Sequence, residues 1–299
     1  KINLMRSISI VLIFSLGFIL TACNPQVDVP SYIYVDTVSF SCQNDQGSAS
    51  HQIKDVRITV DGENGDRGSF TIPALVPVLR SGSCRVQIQP VVYKNGLPQQ
   101  RIVNYLYSLY DEYRNLKQGK IDTIRPHYTY ADYTKFYFIE DFEDAGIKFK
   151  SDGKGIDKTA DDNLLLHVVG ENNHTAGIIT FNEADTTRYF ELKTVTPIYL
   201  TSTNVNVCLL ELNCSSTQSI EVGVYFNNPV TNRAEQAVIA NINKSTNIKN
   251  WRKVYRQLGA VEDEIDQIGI FEEAVEIFKK TDIIKECTLV AICAKVGST

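Results

Sequence analysis

The chain has 299 residues, with 30 basic against 35 acidic side chains and a net charge of −5. So mildly acidic a chain excludes nucleic acid as an expected partner, because that needs a clustered basic face. The length accommodates two ordinary domains, and 15 tyrosines alongside many Thr, Val and Ile residues favour strands over helices.

In chain order, Lys1 and Arg6 flank a basic start, and an apolar run follows over residues 8–20. That run is shorter than the roughly 20 residues a spanning helix needs. With small residues after it, it reads as a secretory signal over residues 1–22. Leu20-Thr21-Ala22-Cys23 resembles the lipobox of bacterial lipoproteins. The resemblance implies diacylglycerol on the Cys23 thiol, cleavage before it, fatty acylation (palmitate) of the new amine, and a lipid-anchored place in the cell envelope. Asn24 stands where an Asp would hold such a protein at the inner membrane in some Gram-negative bacteria, so the resemblance implies the outer membrane. Cleavage takes Lys1 and Arg6 away, so the mature chain is more acidic still. Six cysteines remain, an even number that suits an oxidising compartment. Cys42 and Cys84 fall in one expected domain and form the candidate disulfide. The pairs Cys208/Cys214 and Cys287/Cys293 are spaced too widely for a typical zinc site.

Residues 23–30 form a lipidated tether. Residues 31–125 then read as a first β-sandwich, with strands expected at 31–40, 55–60, 69–72, 84–93 and 102–107. Val56, Ile58 and Val60 alternate with Arg57 and Thr59, Asp61-Gly62 begins a turn, and Pro73 and Pro77 are expected to interrupt the ladder. Asn95-Gly96 is a hairpin signal. Asp55-Val56-Arg57-Ile58-Thr59-Val60-Asp61-Gly62, then Pro73, then Leu79-Arg80-Ser81-Gly82 before residues 85–89, resembles the PEGA-type surface domain. The resemblance is confined to this stretch. It implies an immunoglobulin-like sandwich and brings no catalytic residue. Residues 108–130 read as a short helix or a tyrosine-rich edge, with the domain boundary near Arg125-Pro126.

Residues 126–299 read as a second sandwich of many short strands, expected at 135–144, 164–168, 177–181, 188–192, 197–200, 220–226, 236–242 and 251–258. The opening Glu140-Asp141-Phe142-Glu143 strand, the Val222-Gly223-Val224-Tyr225-Phe226 strand and the late Trp251/Val254/Tyr255 strand resemble jelly-roll carbohydrate-binding modules. The pairing of both halves resembles two-domain outer-membrane lipoproteins of Gram-negative bacteria. Phe271, Ala274, Val275 and Phe278 follow helical spacing, so a helix is expected within 269–286, followed by an apolar run at 288–294 able to close the sandwich. The fold class is therefore all-β, two sandwiches (immunoglobulin-like, then jelly-roll-like) with a helix near the C-terminus.

The densest carboxylate cluster is Glu140, Asp141, Glu143 and Asp144. Asp141 and Glu143 share a strand face and are the candidate ligands for a structural calcium, a hard cation that takes oxygen ligands. The competing reading is a solvated strand edge that resists aggregation. Trp251, Tyr255 and Tyr225 are the candidate sugar-stacking residues, since an aromatic face suits the C–H face of a sugar; the competing reading is core packing. No nucleophile elbow, zinc-binding His pair or phosphate loop appears. The expected function is binding or structural interaction at the envelope, with glycan as the leading ligand and an envelope protein as the other partner. The alternatives are a glycoside hydrolase using two carboxylates and a structural subunit of an outer-membrane complex.

Overall fold

The computed structural model describes residues 29–62, 65–94, 96–168, 175–182, 189–196, 208–228, 233–257, 273–280 and 287–298. Among them are no α-helices, only a 3-10 turn at Asn44–Gln46. The chain is all-β, as its composition predicts.

Nine strands arise before residue 125: β1 (Ser31–Val35), β2 (Ser39–Phe40), β3 (Asp55–Val60), β4 (Asp66–Thr71), β5 (Ala74–Val78), β6 (Gly82–Tyr93), β7 (Arg101–Val103), β8 (Tyr110–Leu116) and β9 (Ile121–Ile124). One sheet has the order β5-β1-β9; the other runs β4-β3-β6-β7, with β8 also paired to β6. Alternation decides which side chains meet. Val56, Ile58 and Val60 of β3 and Val86 and Ile88 of β6 bury against Ile33 and Val35 of β1 and Val76 and Val78 of β5. Each such aliphatic side chain stabilises by about 1.5–3 kcal/mol when fully buried. The intervening Arg57 faces outward to Asp66, and Arg85 to Asp111. The turn after β3 places Asp61 and Gly62 at φ 55° and 86°, where Gly bears no steric penalty. Pro77 does not interrupt the ladder. It lies within β5, which borders its sheet, and sheet borders tolerate a missing N–H. Residues 110–116, ambiguous in sequence, form strand β8.

A collar follows. β10 (His127–Tyr128) pairs in parallel with β2, and His127 bonds through both ring nitrogens to the Ser39 and Ser41 hydroxyls, each at 2.9 Å.

The second sandwich comprises β11 (Lys135–Glu140), β12 (Phe149–Gly153), β13 (Asp157–Thr159), β14 (Ala176–Phe181), β15 (Tyr189–Thr194), β16 (Cys208–Ser216), β17 (Ile220–Asn228), β18 (Arg233–Ile242), β19 (Arg252–Gln257), β20 (Glu273–Lys280) and β21 (Cys287–Ser298). The pairings among these strands are antiparallel. One sheet runs β13-β14-β21-β16-β19 with β11 on β21, and the other runs β12-β15-β20-β17-β18. The non-sequential orders give a jelly-roll-like arrangement. Aromatic rings meet between the layers: Phe138 and Phe149 at 5.5 Å between centroids, and Phe181 and Phe190 at 6.2 Å.

Two local expectations are corrected here. Residues 273–280 form β20 rather than part of a helix, because their backbone pairs with β15 on one side and β17 on the other. The sheet satisfies both rows of backbone groups at once, and this outweighs the helical spacing. Residues 164–168 form a turn and an irregular segment rather than a strand, since the Leu164 and Leu165 amides are drawn onto the Asp161 carbonyl. The apolar run at 288–294 does close the sandwich, as the middle of β21 between β14 and β16.

Candidate functional site

Strand β16 positions the most unusual chemistry in the molecule. Every residue from Leu209 to Ser216 is buried. Leu210, Leu212 and Cys214 alternate with Glu211 and Asn213, and the polar residues meet the first half of the chain. Their cross-strand partners on β19 are Tyr255 opposite Glu211 and Lys253 opposite Asn213. Glu211 is 3% exposed and Lys253 6%. Lys253 Nζ lies 2.9 Å from Glu211 Oε2 and donates to the Ser50 carbonyl at 2.7 Å. Tyr130 donates to Glu211 Oε2 at 2.7 Å and Tyr107 to Oε1 at 3.0 Å. The Tyr255 hydroxyl lies 3.2 Å from that of Tyr107 and accepts the Gln52 amide at 3.0 Å. Asn213 accepts from the Ser50 hydroxyl and donates to that of Ser48. One buried carboxylate thus gathers an ammonium and two phenols from segments far apart in the chain, as burial of a charge demands. Burial, then the Glu211 charge, pushes the Tyr107 hydroxyl well above the usual phenol range, so it remains a donor.

Around this seam Phe40, Tyr107 and Tyr130 stack at 4.5–5.3 Å between centroids. Two open clefts flank the seam and share Gln52, Arg252 and Lys253 as a common wall. The first, of about 460 Å³, is bounded by Phe40, His51, Leu166, His167, Asn213 and Trp251. The second, of about 360 Å³, is bounded by Lys54, Tyr93, Leu97, Asn241 and Asn243. Both fall within the size range of small-ligand pockets. Neither is lined by an Asp or Glu.

The structure sorts the candidates from sequence. Trp251 is half-buried on the wall of the larger cleft, and its Nε1 donates to the Leu164 carbonyl at 3.0 Å, which fixes the ring. Tyr255 is corrected: it is 1% exposed in the seam and cannot present a face to a sugar. Tyr225 lies on β17, but its side chain is outside the described ones, as is Cys23. Asp141 and Glu143 both accept hydrogen bonds from within the chain. Asp141 accepts the Glu143 amide two residues on, while Glu143 accepts the amide and hydroxyl of Thr175, distant in the chain. Among the described residues no three His, Cys, Asp or Glu side chains converge as a metal would need. The expected Cys42–Cys84 bridge is not formed. Cys84 sits in the first sandwich core, whereas Cys42 packs on the seam cluster and donates to the Gly47 carbonyl at 3.0 Å.

Sequence reasoning missed His51, Glu211 and Lys253. Only the interruption of an apolar strand by Glu211 and Asn213 hinted at them. Burial, then Lys253 and Lys54, hold the His51 imidazole below its ordinary value. The unfolded chain therefore takes this proton first as pH falls, and the neutral form's contribution is lost below about pH 6.5. The melting temperature is expected to drop between pH 7.5 and 5.5, and His51→Gln to flatten that slope. An unchanged slope in the variant would assign the acid sensitivity elsewhere.

No family model matches the chain, and no curated protein matches it. Among solved structures, a mutant of the CBM29-2 carbohydrate-binding module complexed with mannohexaose aligns at 10% identity and TM-score 0.31, over 55% of this chain and 92% of that one. The CBM22-1 and GH10 modules of Clostridium thermocellum xylanase 10B, complexed with xylohexaose, align at 12% identity and TM-score 0.35, over 55% of this chain and 28% of theirs.

Proposed function

We propose that this chain is a lipid-anchored cell-envelope protein, carried in the outer membrane by acylated Cys23, that binds glycan in the cleft beside Trp251. The immunoglobulin-like half serves as a spacer on the tether, and the jelly-roll-like half supplies the aromatic wall. The observation that carries the reading is the cleft itself. An indole held in place by Leu164 adjoins imidazole, guanidinium and amide side chains, the mixture a sugar's apolar faces and hydroxyls require. The hydrolase alternative gains no support, since neither seam cleft offers a pair of carboxylates. The structural-subunit reading has one observation in its favour. The outer face of the β5-β1-β9 sheet sets Tyr34 beside Leu75 and Tyr32 beside Ile121, with Leu75 and Ile121 51% and 59% exposed.

The test is a glycan array probed with the soluble chain from Asn24 onward, beside its Trp251→Ala and Trp251→Phe variants. Trp251→Ala is expected to lose signal by about tenfold or more, the scale of one aromatic contact, and Trp251→Phe to retain part of it. Absence of binding to every glycan would leave the structural reading in its place.

A further inference from the structure

The charge around the seam clefts is one-sided. Their walls carry Lys54, Arg252, Lys253, His51 and His167 and no carboxylate, in a chain whose net charge is negative. Lys253 is balanced by Glu211 behind it. Lys54 and Arg252 have no carboxylate partner among the described residues: Lys54 is exposed, and Arg252 spends its guanidinium on the Asn243 carbonyl and the Ser245 hydroxyl. Arg252 stands on the wall that the clefts share, with Trp251 on one side and Lys54 on the other. A second observation reports the same field. Lys253 and Lys54 both act on His51 in the direction that opposes its protonation, and among the described residues His51 Nδ1 has no hydrogen-bond partner. A cleft of one charge sign concentrates counter-ions and ligands of the other.

We propose that the seam binds an acidic saccharide, with the sugar ring beside Trp251 and its carboxylate or sulfate groups meeting Arg252 and Lys54. This rests on the glycan reading above and adds the ligand's charge. Arg252 suits the role because a guanidinium pairs with carboxylate and sulfate oxygens in a planar fork. A neutral sugar would leave both cations without an anionic partner.

The experiment uses the soluble chain from Asn24 on an array of uronate-, sialate- and sulfate-bearing glycans, each beside its neutral counterpart, followed by titration of the best pair. The acidic member is expected to bind about tenfold tighter, the worth of one charge-assisted hydrogen bond. That advantage is expected to shrink between about 0.1 M and about 1 M salt, where the screening length falls from about 10 Å to about 3 Å. Lys54→Gln, a change on an exposed side chain, is expected to weaken the acidic glycan about threefold and leave a neutral one unchanged. Equal binding of the two members, or no effect of Lys54→Gln, overturns the proposal and leaves the glycan reading standing. Inorganic sulfate binding as tightly as the acidic glycan removes the saccharide from the proposal. Binding of no glycan at all removes both readings.

Discussion

Lys253→Met is expected to lower the melting temperature of the soluble chain by about 10 °C. The side chains of Lys253 and Glu211 are 2% and 4% exposed, so water screens neither charge. Removing the ammonium takes away the cation 2.9 Å from Glu211 Oε2 and leaves a buried carboxylate facing the Tyr107 and Tyr130 phenols. Breaking a buried pair on one side costs about 3–5 kcal/mol, and about 2–4 °C accompanies each kcal/mol in domains of this size. The pair itself contributes far less, because desolvation offsets most of its attraction. Lys253→Met combined with Glu211→Gln is therefore expected to recover much of the loss. The amide oxygen still accepts from a tyrosine, and the buried charge is gone. Thermal melts of the four proteins in the cycle measure the coupling. A Lys253→Met loss under about 1 kcal/mol would mean that the pair behaves like an exposed one and that the two sandwiches are not closed on each other.

The same strand shows where sequence reading stops. Alternation in β3 and β6 is legible because one face meets a core and the other water, so Val56, Ile58 and Val60 declare their side. β16 also alternates, but its polar face is covered by residues 48–50, 107 and 130, and burial on both sides leaves no local trace. The same cause hides the place of Tyr255. Trp251 and Tyr255 are neighbours in sequence, and only contacts with Gln52 and Tyr107 put the tyrosine in the seam and leave the indole on a cleft wall. Charge and strand face are all that the sequence shows of Asp141 and Glu143. Their work is set by which backbone amides lie near, including that of Thr175, distant in the chain. The Cys42–Cys84 pairing fails on similar grounds, since two cysteines in one stretch of sequence serve different cores. Helical spacing at 271–278 is a true local pattern that two flanking strands override.

Cys23→Ser is expected to abolish palmitate incorporation and to leave the chain as a precursor with residues 1–22 still attached, read as a larger mass than that of the wild type. The chemistry is all-or-none. A serine hydroxyl does not replace the thiol as acceptor of diacylglycerol in the lipobox scheme, so neither cleavage before residue 23 nor acylation of a new amine follows. Hydrophobic anchoring scales at about 0.8 kcal/mol per buried methylene, and one chain gives only reversible binding whereas several hold firmly. No helix among the described residues is long and apolar enough to cross a membrane. The same variant separates anchoring from binding. The cleft beside Trp251 is built from residues 38–40, 49–52, 166–168, 213 and 251–253, remote in sequence from the tether, so the Cys23→Ser protein is expected to bind glycan as the wild type does. Palmitate label that persists in Cys23→Ser would remove the lipid anchor from the proposed function while leaving the seam intact.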